Sequence, residues 1–398
     1  MGGALDYGAA GADPGDVATT TSAGPGSWYC RPAARHWRCA PPAAGPAAFH
    51  AGLPGYRPTE LRELPALAAE LLVGRVFVKD ESTRLGLAAF KVLGASWAVA
   101  RVLAGSDGPA AAGDLSVAAL RRAAAGYQAE LVTATDGNHG RAVAWLGRLL
   151  GLRARVFVPQ AVPAGARAGI AAEGAAVTLV DGPFDQAVGQ AAAYASAGPG
   201  RALVQDFAWP GYERVPGWIV AGYGTLLREV DDQLAGYGLP GPSLVSVPVG
   251  VGSLAQAVVA HYRSRPLRRG SPPPAVLAVE PETAACLLAS LRAGVPRRVP
   301  TPGTVMTGLD CGTVSSLAWP VLSAGLDAAI AVPDSAALRA AGELARLGVF
   351  SGPSGAASLA GARAALTGPG ARQRRGDLAL RASSVLVLLS TEGPAAAG

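Results

Sequence analysis

Short apolar segments alternate with alanine-rich segments of helical length from residue 71 onward. Such alternation is typical of parallel sheets whose strands are joined by helices. The predicted strands cover residues 75–79, 130–134, 154–158, 177–180, 202–204, 244–248, 275–280, 329–332 and 384–389. The predicted helices cover residues 91–103, 138–150, 164–173, 185–195, 217–234, 254–262, 335–347 and 355–365. The pattern therefore predicts an α/β fold.

The chain has 398 residues, whereas a single domain commonly has about 100–200. We predict one globular unit of two lobes, with the Gly- and Ala-rich segment 105–126 as the crossing between them. Residues 1–50 show no sustained hydrophobic period, so we predict a disordered and then irregular N-terminal arm that packs through its aromatic residues. The predicted large domain combines residues 51–104 and 206–398, and the predicted small domain covers residues 105–205.

Charge and cysteine content exclude several classes of protein. The net charge is +6, but the arginines are scattered and no basic run is interleaved with aromatic residues, which argues against a nucleic-acid partner. The four cysteines form no C-x-x-C pair, so we predict free thiols and no metal site. Residues 1–27 resemble no signal peptide, and the uncharged stretch 234–260 is interrupted by Gly and Pro. We therefore expect a cytoplasmic protein with no membrane partner.

Only two of the 34 basic residues are lysines, Lys79 and Lys91, and the rest are arginines. A lysine kept in such a chain is a candidate for chemistry that needs a primary amine, because a guanidinium stays charged and forms no Schiff base. Lys91 opens a predicted helix among apolar residues, which we expect to lower its pKa. Lys79 has two carboxylates beside it in the chain, which favours an ion-paired structural role.

Polar residues follow the predicted strand 130–134 in the sequence Thr-Ala-Thr-Asp-Gly-Asn-His-Gly, residues 133–140. A glycine-containing turn from a strand into a helix directs backbone N–H groups, and here the Asn138 side chain, at the carboxyl end of the sheet. Asp136 lies at the apex of this turn. On local grounds alone, an ordinary helix N-cap is the simpler role for Asp136, and we take His139 as structural.

Two further predicted strands end in residues suited to ligand binding. Residues 247–254, Val-Pro-Val-Gly-Val-Gly-Ser-Leu, lead from a strand through Gly250 and Gly252 into a helix, which suits a small phosphate monoester. The loop has neither the third glycine of a dinucleotide fingerprint nor the Gly-Lys-Ser/Thr ending of a P-loop. The C-terminal strand runs into Ser390 and Thr391, so hydroxyls also stand at a strand end.

These elements together resemble the fold-type II pyridoxal-phosphate enzymes and, among them, the diaminopropionate ammonia-lyases. The resemblance covers residues 55–393 and rests on Gly-Tyr-Arg-Pro-Thr at 55–59, Lys-Asp-Glu-Ser at 79–82, Ala-Phe-Lys at 89–91, Thr-Asp-Gly-Asn-His-Gly at 135–140, Val-Gln-Asp-Phe-Ala-Trp at 204–209 and Ser-Thr-Glu-Gly at 390–393. It implies two lobes, each with a twisted, mostly parallel sheet flanked by helices. It also implies a homodimer.

The resemblance assigns roles to particular residues. It implies that Lys91 carries pyridoxal 5′-phosphate as a Schiff base and that Asn138 contacts the cofactor's 3-hydroxyl. Ser390 or Thr391 would face the pyridine nitrogen. The phosphate would be bound by the loop residues Gly250, Val251, Gly252, Ser253 and Leu254.

Asp136 and Asp206 match the two aspartates that, in the diaminopropionate ammonia-lyases, are assigned to proton abstraction from the two substrate enantiomers. A carboxylate near the reacting carbon can take the α-proton, and it can pair with the second amino group of a diamino acid. The implied reaction is α,β-elimination of 2,3-diaminopropionate to pyruvate and two ammonia. Without the resemblance, a structural hydrogen bond to the next loop is the simpler role for Asp206.

Three residues depart from the family pattern. Ala88 stands where Asn is usual, Pro353 interrupts a Ser-Gly-Glu-Ser-Gly motif, and Asp310 replaces a small residue and adds a charge near the predicted pocket. These departures leave open a substrate larger than diaminopropionate. Other functions on the same fold also stay possible: a serine or threonine dehydratase or racemase, a β-replacement enzyme, and a cofactor-binding protein with little activity.

Overall fold

The strands form two separate sheets in the computed structural model, which describes residues 27–42, 44–105, 114–127, 130–265 and 272–394. In chain order the strands are β1 Trp28–Cys30, β2 Leu61–Glu63, β3 Arg75–Asp80, β4 Glu130–Ala134, β5 Arg153–Pro159, β6 Ala176–Val180, β7 Arg201–Leu203, β8 Leu244–Pro248, β9 Ala275–Pro281, β10 Ala328–Val332 and β11 Val385–Ser390.

Helices separate most of these strands, as the α/β prediction requires. They are α1 Pro46–Ala51, α2 Pro65–Glu70, α3 Lys91–Leu103, α4 Val117–Tyr127, α5 Asn138–Leu150, α6 Ala164–Ala172, α7 Phe184–Ser196, α8 Arg214–Gly236, α9 Ser253–Arg263, α10 Cys286–Ala293, α11 Trp319–Gly325, α12 Asp334–Arg346, α13 Pro353–Leu366 and α14 Ala371–Asp377. Among the described residues, no helix is long and apolar enough to cross a membrane.

The larger sheet has the strand order β1-β10-β9-β8-β11-β3-β2. Its central strands are parallel, and the edge strands β1 and β2 pair antiparallel. Side chains alternate between two cores: Val387 packs on the side of α3, α8 and α9, whereas Leu386 and Leu388 pack against α13. Burial on both faces explains why these strands read as continuous apolar runs. Because β8 and β11 are parallel neighbours, Pro248 and Ser390 end at the same edge.

The smaller sheet is parallel throughout, in the order β6-β5-β4-β7. Its faces are covered by α7 on one side and by α5 and α6 on the other. β4 and β7 are direct neighbours, with Leu131 opposite Ala202. The turns that follow them, which contain Asp136 and Asp206, therefore lie side by side.

The structure differs from the sequence prediction in the short elements. Residues 28–50 were expected to be irregular, but β1 joins the larger sheet and α1 packs against α3 and α8. Residues 117–127 form helix α4, which contacts α3 and α5 and is not simply a crossing segment. Residues 1–26 of the predicted arm lie outside the described part of the chain. The strands of the smaller sheet fall within 105–205, but the exact domain boundaries stay a prediction.

Candidate active site

A cavity of about 490 Å³ lies at the carboxyl ends of strands from both sheets. Nearly all of the predicted site residues line it: Lys91, Asp136, Asn138, Asp206, Gly250, Val251, Gly252, Ser253, Leu254 and Thr391. Ser390 does not line it, because its buried hydroxyl donates a 2.8 Å hydrogen bond to Ser351 Oγ. Of the two C-terminal hydroxyls, Thr391 is therefore the one that faces the cavity.

Lys91 is the first residue of α3, and its amine is paired with a carboxylate. Lys91 Nζ lies 2.5 Å from Asp206 Oδ2 and 5.5 Å from the centre of the Phe90 ring. Burial disfavours the charged amine, but Asp206 outweighs it and raises the pKa of Lys91 above its ordinary value. The expectation of a lowered pKa was wrong, because the sequence neighbours of Lys91 are apolar whereas its partner in space is an anion.

Lys79 is ion-paired and structural, as predicted. Its partner is Glu229 of α8, at 2.7 Å, and not the carboxylates next to it in the chain. Its amine also donates to the backbone oxygen of Thr59 at 2.7 Å. The same Glu229 pairs with the buried Arg84, so these side chains join the loop before β2 to α8.

The two aspartates differ in protonation behaviour. Burial raises the pKa of Asp136 to about 6, although the Lys91 charge opposes the shift. Burial acts in the same direction on Asp206, but the charges of Lys91 and His139 outweigh it and lower its pKa to about 2. Carboxyls whose environments separate their pKa values in this way can take different acid and base roles. Asp136 can gain and lose a proton near neutral pH, whereas Asp206 stays an anion.

Neighbouring elements hold Asp206 in place. Gln205 Nε2 donates to Asp206 Oδ1 at 3.2 Å, and Gln205 Oε1 accepts from the Ala134 N–H of β4 at 3.0 Å. The Ser253 hydroxyl donates to the Asp206 backbone oxygen at 2.9 Å. Among the described residues the Asp206 side chain bonds to Lys91 and Gln205 and not to the following loop, so the expected hydrogen bond to that loop is not formed. The catalytic role of Asp206 stays a prediction.

The turn 135–140 is fixed by Thr135. Its hydroxyl accepts hydrogen bonds from the N–H groups of Gly137 at 2.9 Å and Gly140 at 3.0 Å. A Cβ atom at Gly140 would lie 2.3 Å from Thr135 Cγ2, so the position requires glycine. The N-cap of α5 is Gly137 and has no side-chain cap, so Asp136 is not the helix cap that local reasoning favoured.

His139 is buried within this turn, as expected of a structural residue. Its Nε2 donates to the Val204 backbone oxygen at 2.7 Å, which leaves Nδ1 facing Asp206 Oδ2 at 4.0 Å. Burial lowers the pKa of the ring. His139 therefore links the turn after β4 to the end of β7.

Glu392 is a site residue that the sequence prediction missed. Its Oε2 accepts a hydrogen bond from Asn138 Nδ2 at 2.7 Å, and its Oε1 accepts from the Ser354 N–H at 3.3 Å. Burial raises the pKa of Glu392. Its place in Ser-Thr-Glu-Gly was a usable signal, but the prediction took the hydroxyls and passed over the carboxylate.

The loop 250–254 has the geometry of an anion cradle. In the described part of the chain, none of its backbone N–H groups donates to an acceptor. A Cβ at Gly250 would lie 2.9 Å from Cys311 Sγ, and Gly252 has φ +97° with Leu322 2.9 Å from the place of a Cβ. Both positions therefore require glycine. Together with the N-terminus of α9, this cradle suits a phosphate group.

Carboxylates dominate the charge of the cavity. Of the described residues that line it, four are acidic, Asp136, Asp206, Asp310 and Glu392, and Lys91 is the only lysine or arginine. Asp310 Oδ1 is buried and has no hydrogen-bond partner among the described residues, and burial raises the pKa of this carboxyl. Outside the phosphate cradle, the cavity therefore favours a cationic group of the ligand.

Comparison with known proteins agrees with this geometry. The family model "Pyridoxal-phosphate dependent enzyme" matches residues 53–374. The diaminopropionate ammonia-lyase of Salmonella typhimurium is 36% identical, over 87% of each chain. Solved structures of the Escherichia coli diaminopropionate ammonia-lyase, in complex with D-serine and with an aminoacrylate-PLP azomethine reaction intermediate, give TM-scores of 0.79 and 0.78 at 32% identity and cover 88% of each chain. The chain therefore belongs to the fold-type II pyridoxal-phosphate-dependent enzymes and, within them, to the diaminopropionate ammonia-lyase family.

Proposed function

We propose that this protein catalyses the α,β-elimination of 2,3-diaminopropionate with pyridoxal 5′-phosphate as cofactor. One water is consumed, and pyruvate and two ammonia are released. The observation that supports this best is the excess of carboxylates around Lys91 in the cavity. A substrate with a second ammonium group is attracted by these carboxylates, whereas serine and threonine gain less from them. The named lyases that match most of the chain support the same substrate.

The residues present suit pyridoxal phosphate. The unpaired N–H groups of residues 250–254 would hold its phosphate, and Lys91 would bond to its aldehyde carbon. Asn138 and Thr391 line the remaining wall as candidate contacts to the ring. When bound, the cofactor supplies an electron sink for the negative charge that forms at the substrate's α-carbon.

Two proton acceptors are available for the α-proton. Asp136 has a pKa of about 6 and is largely ionised at neutral pH, so it can take the proton and release it later. The second acceptor is the Lys91 amine, which Asp206 holds at 2.5 Å and which could accept a proton whenever it is not bonded to the cofactor. We assign Asp136 to one substrate enantiomer and Asp206 with Lys91 to the other.

The test is product release from the purified protein supplied with pyridoxal phosphate. D- and L-2,3-diaminopropionate are compared with L-serine and L-threonine, and pyruvate and ammonia are both measured. We expect two ammonia per pyruvate from the diamino acid. Asp136→Asn and Asp206→Asn should each abolish turnover of one enantiomer and keep that of the other.

Other results would point to other functions on the same fold. Turnover of L-serine or L-threonine alone would contradict the proposal and indicate a dehydratase. Pyruvate release that is suppressed by an added thiol or amine nucleophile would indicate a β-replacement enzyme. A cytoplasmic location and a homodimer are also proposed, and sedimentation of the purified protein tests the second.

A further inference from the structure

Tyr223 of α8 has a buried hydroxyl with no partner at the wall of the active-site cavity. The residue is fully buried, and its Oη has no hydrogen-bond partner in the described part of the chain. A buried hydroxyl without a partner is destabilising. Its presence at the wall of a ligand site therefore indicates that it finds a partner in another state of that site.

The packing of α3 on α8 places Tyr223 in the same cavity wall as Lys91, near enough for the two side chains to interact electrostatically. A Cβ at Gly94 of α3 would lie 2.6 Å from Tyr223 Cε1, and a Cβ at Gly222 would lie 2.4 Å from the Leu93 backbone oxygen. The Tyr223 ring packs on Phe90 with a centroid distance of 4.7 Å, and Lys91 Nζ lies 5.5 Å from the same Phe90 ring. Two glycines thus bring the helices together where Tyr223 and Lys91 share one aromatic neighbour.

Lys91 needs its neutral form to act, and its surroundings oppose that form. The amine must be neutral to attack an aldehyde or to accept a proton. Asp206, at 2.5 Å, favours the ammonium instead. The other titratable groups that interact electrostatically with the Lys91 amine are Asp136, His139, Cys311 and Glu392. Three carboxylates around one amine would hold it charged unless something favours the neutral state.

We propose that Tyr223 is a positioning residue that donates a hydrogen bond to the Lys91 nitrogen when that amine is neutral. The neutral amine has one lone pair, which can accept from the phenol while an amine N–H still donates to Asp206. The ammonium has no lone pair, and in the paired state seen here the phenol is without a partner. Burial raises the pKa of Tyr223, so the phenol stays a donor at working pH. The hydroxyl therefore favours the reactive form of Lys91.

The inference rests on the proposed cofactor, and cofactor attachment gives a direct test. In that step the Lys91 nitrogen replaces the aldehyde oxygen of pyridoxal phosphate, which leaves as water. Cofactor-free full-length protein is mixed with pyridoxal phosphate, and the rate of attachment is followed by absorbance across a range of pH. Tyr223→Phe should attach the cofactor about tenfold more slowly near neutral pH, the size of one good hydrogen bond. Its rate profile should move about one pH unit to higher pH.

Stability separates this role from a structural one. Tyr223→Phe removes a hydroxyl without a partner, so the melting temperature of the cofactor-free protein should stay the same or rise. The matched control is Tyr194→Phe, whose hydroxyl donates to Glu130 Oε2 at 2.9 Å, away from the cavity. The control should have a lower melting temperature than the wild type and attach the cofactor at the wild-type rate. Tyr223→Met, with a flexible apolar side chain, serves as a second variant if the phenylalanine disturbs the packing.

Two results would overturn the inference: attachment by the Tyr223 variants within twofold of wild type at every pH, or a melting temperature lowered as in Tyr194→Phe with an unmoved pH profile. Failure of the proposed function would look different. A wild-type protein that attaches pyridoxal phosphate but releases no pyruvate from diaminopropionate would refute that substrate, and the attachment rates would still decide the role of Tyr223.

Discussion

Elimination should slow as the pH falls through about 6, because Asp136 must be ionised to accept the α-proton. Its pKa of about 6 is set mainly by burial, and the negative charge of Asp206 adds to the shift. A carboxyl with this pKa is ionised in only about a tenth of the molecules at about pH 5, whereas an ordinary aspartate is more than about nine-tenths ionised there. For the enantiomer that uses Asp136, kcat/KM should therefore fall about tenfold between neutral pH and about pH 5.

The assay is pyruvate release from each enantiomer as a function of pH. Because the amines of diaminopropionate also titrate, the same profile is recorded with β-chloroalanine, which has no second amine. Asp206→Asn tests the cause of the Asp136 pKa shift, with the enantiomer that uses Asp136 as substrate. Removal of the neighbouring anion should lower the Asp136 pKa and move the acid limb to lower pH.

The reasoning fails if the acid limb lies near the ordinary aspartate value of about 4 with both substrates. It also fails if Asp136→Asn keeps the wild-type profile with both enantiomers, because the titrating group would then be another residue. If Asp136→Asn turned over neither enantiomer while cofactor attachment was unchanged, Asp136 would be the base for both enantiomers. Asp206 would then serve only as the partner of Lys91.

Three further predictions concern single contacts. Asp310→Asn should raise KM for diaminopropionate about fivefold and leave KM for L-serine unchanged, because the unpartnered carboxylate of Asp310 would pair with the second ammonium of the proposed substrate. Equal changes for both substrates in steady-state kinetics would contradict this. Glu229→Gln should lower the free energy of unfolding by about 3 kcal/mol, as measured by urea denaturation, since it removes the carboxylate partner of the buried Lys79 and one of the two that pair with the buried Arg84. Gly252→Ala should weaken pyridoxal-phosphate affinity about tenfold in a binding titration, because it strains a left-handed residue in the cradle; Gly236→Ala, in open space, should not.

Strand positions and the polar residues at strand ends were the part of this site that the sequence could predict. The turn after β4 was recognised from its local pattern, whereas Asp206 after β7 was singled out by the resemblance. The structure adds that β4 and β7 are neighbours in a parallel sheet, which brings Asp136 and Asp206 to one edge. The choice between Ser390 and Thr391 was left open, because successive residues of an extended segment point to opposite sides and a pair of hydroxyls does not say which faces the cavity. Strands of three residues, such as β1, are too short to show any period.

Contacts between distant elements could not be predicted, and they set the chemistry. The charge of Lys91 depends on Asp206, which is 115 positions away in the chain, and apolar neighbours in sequence pointed to the opposite shift. Tyr223 lies within a long helix where nothing in the sequence separates it from a core aromatic residue. Only the folded structure shows that Tyr223 lines the same cavity as Lys91 and packs on the same Phe90 ring.

The two lysines show how far a compositional argument reaches. Both are paired with carboxylates, yet Lys79 is enclosed between Thr59 and Glu229, whereas Lys91 opens onto a cavity. A retained lysine in an arginine-rich chain therefore indicates a place that needs a compact ammonium, and this need can be structural or chemical. What distinguishes the two is a second group able to stabilise the neutral amine. Tyr223 offers that group to Lys91, and every side chain bonded to Lys79 is an acceptor that favours its charge.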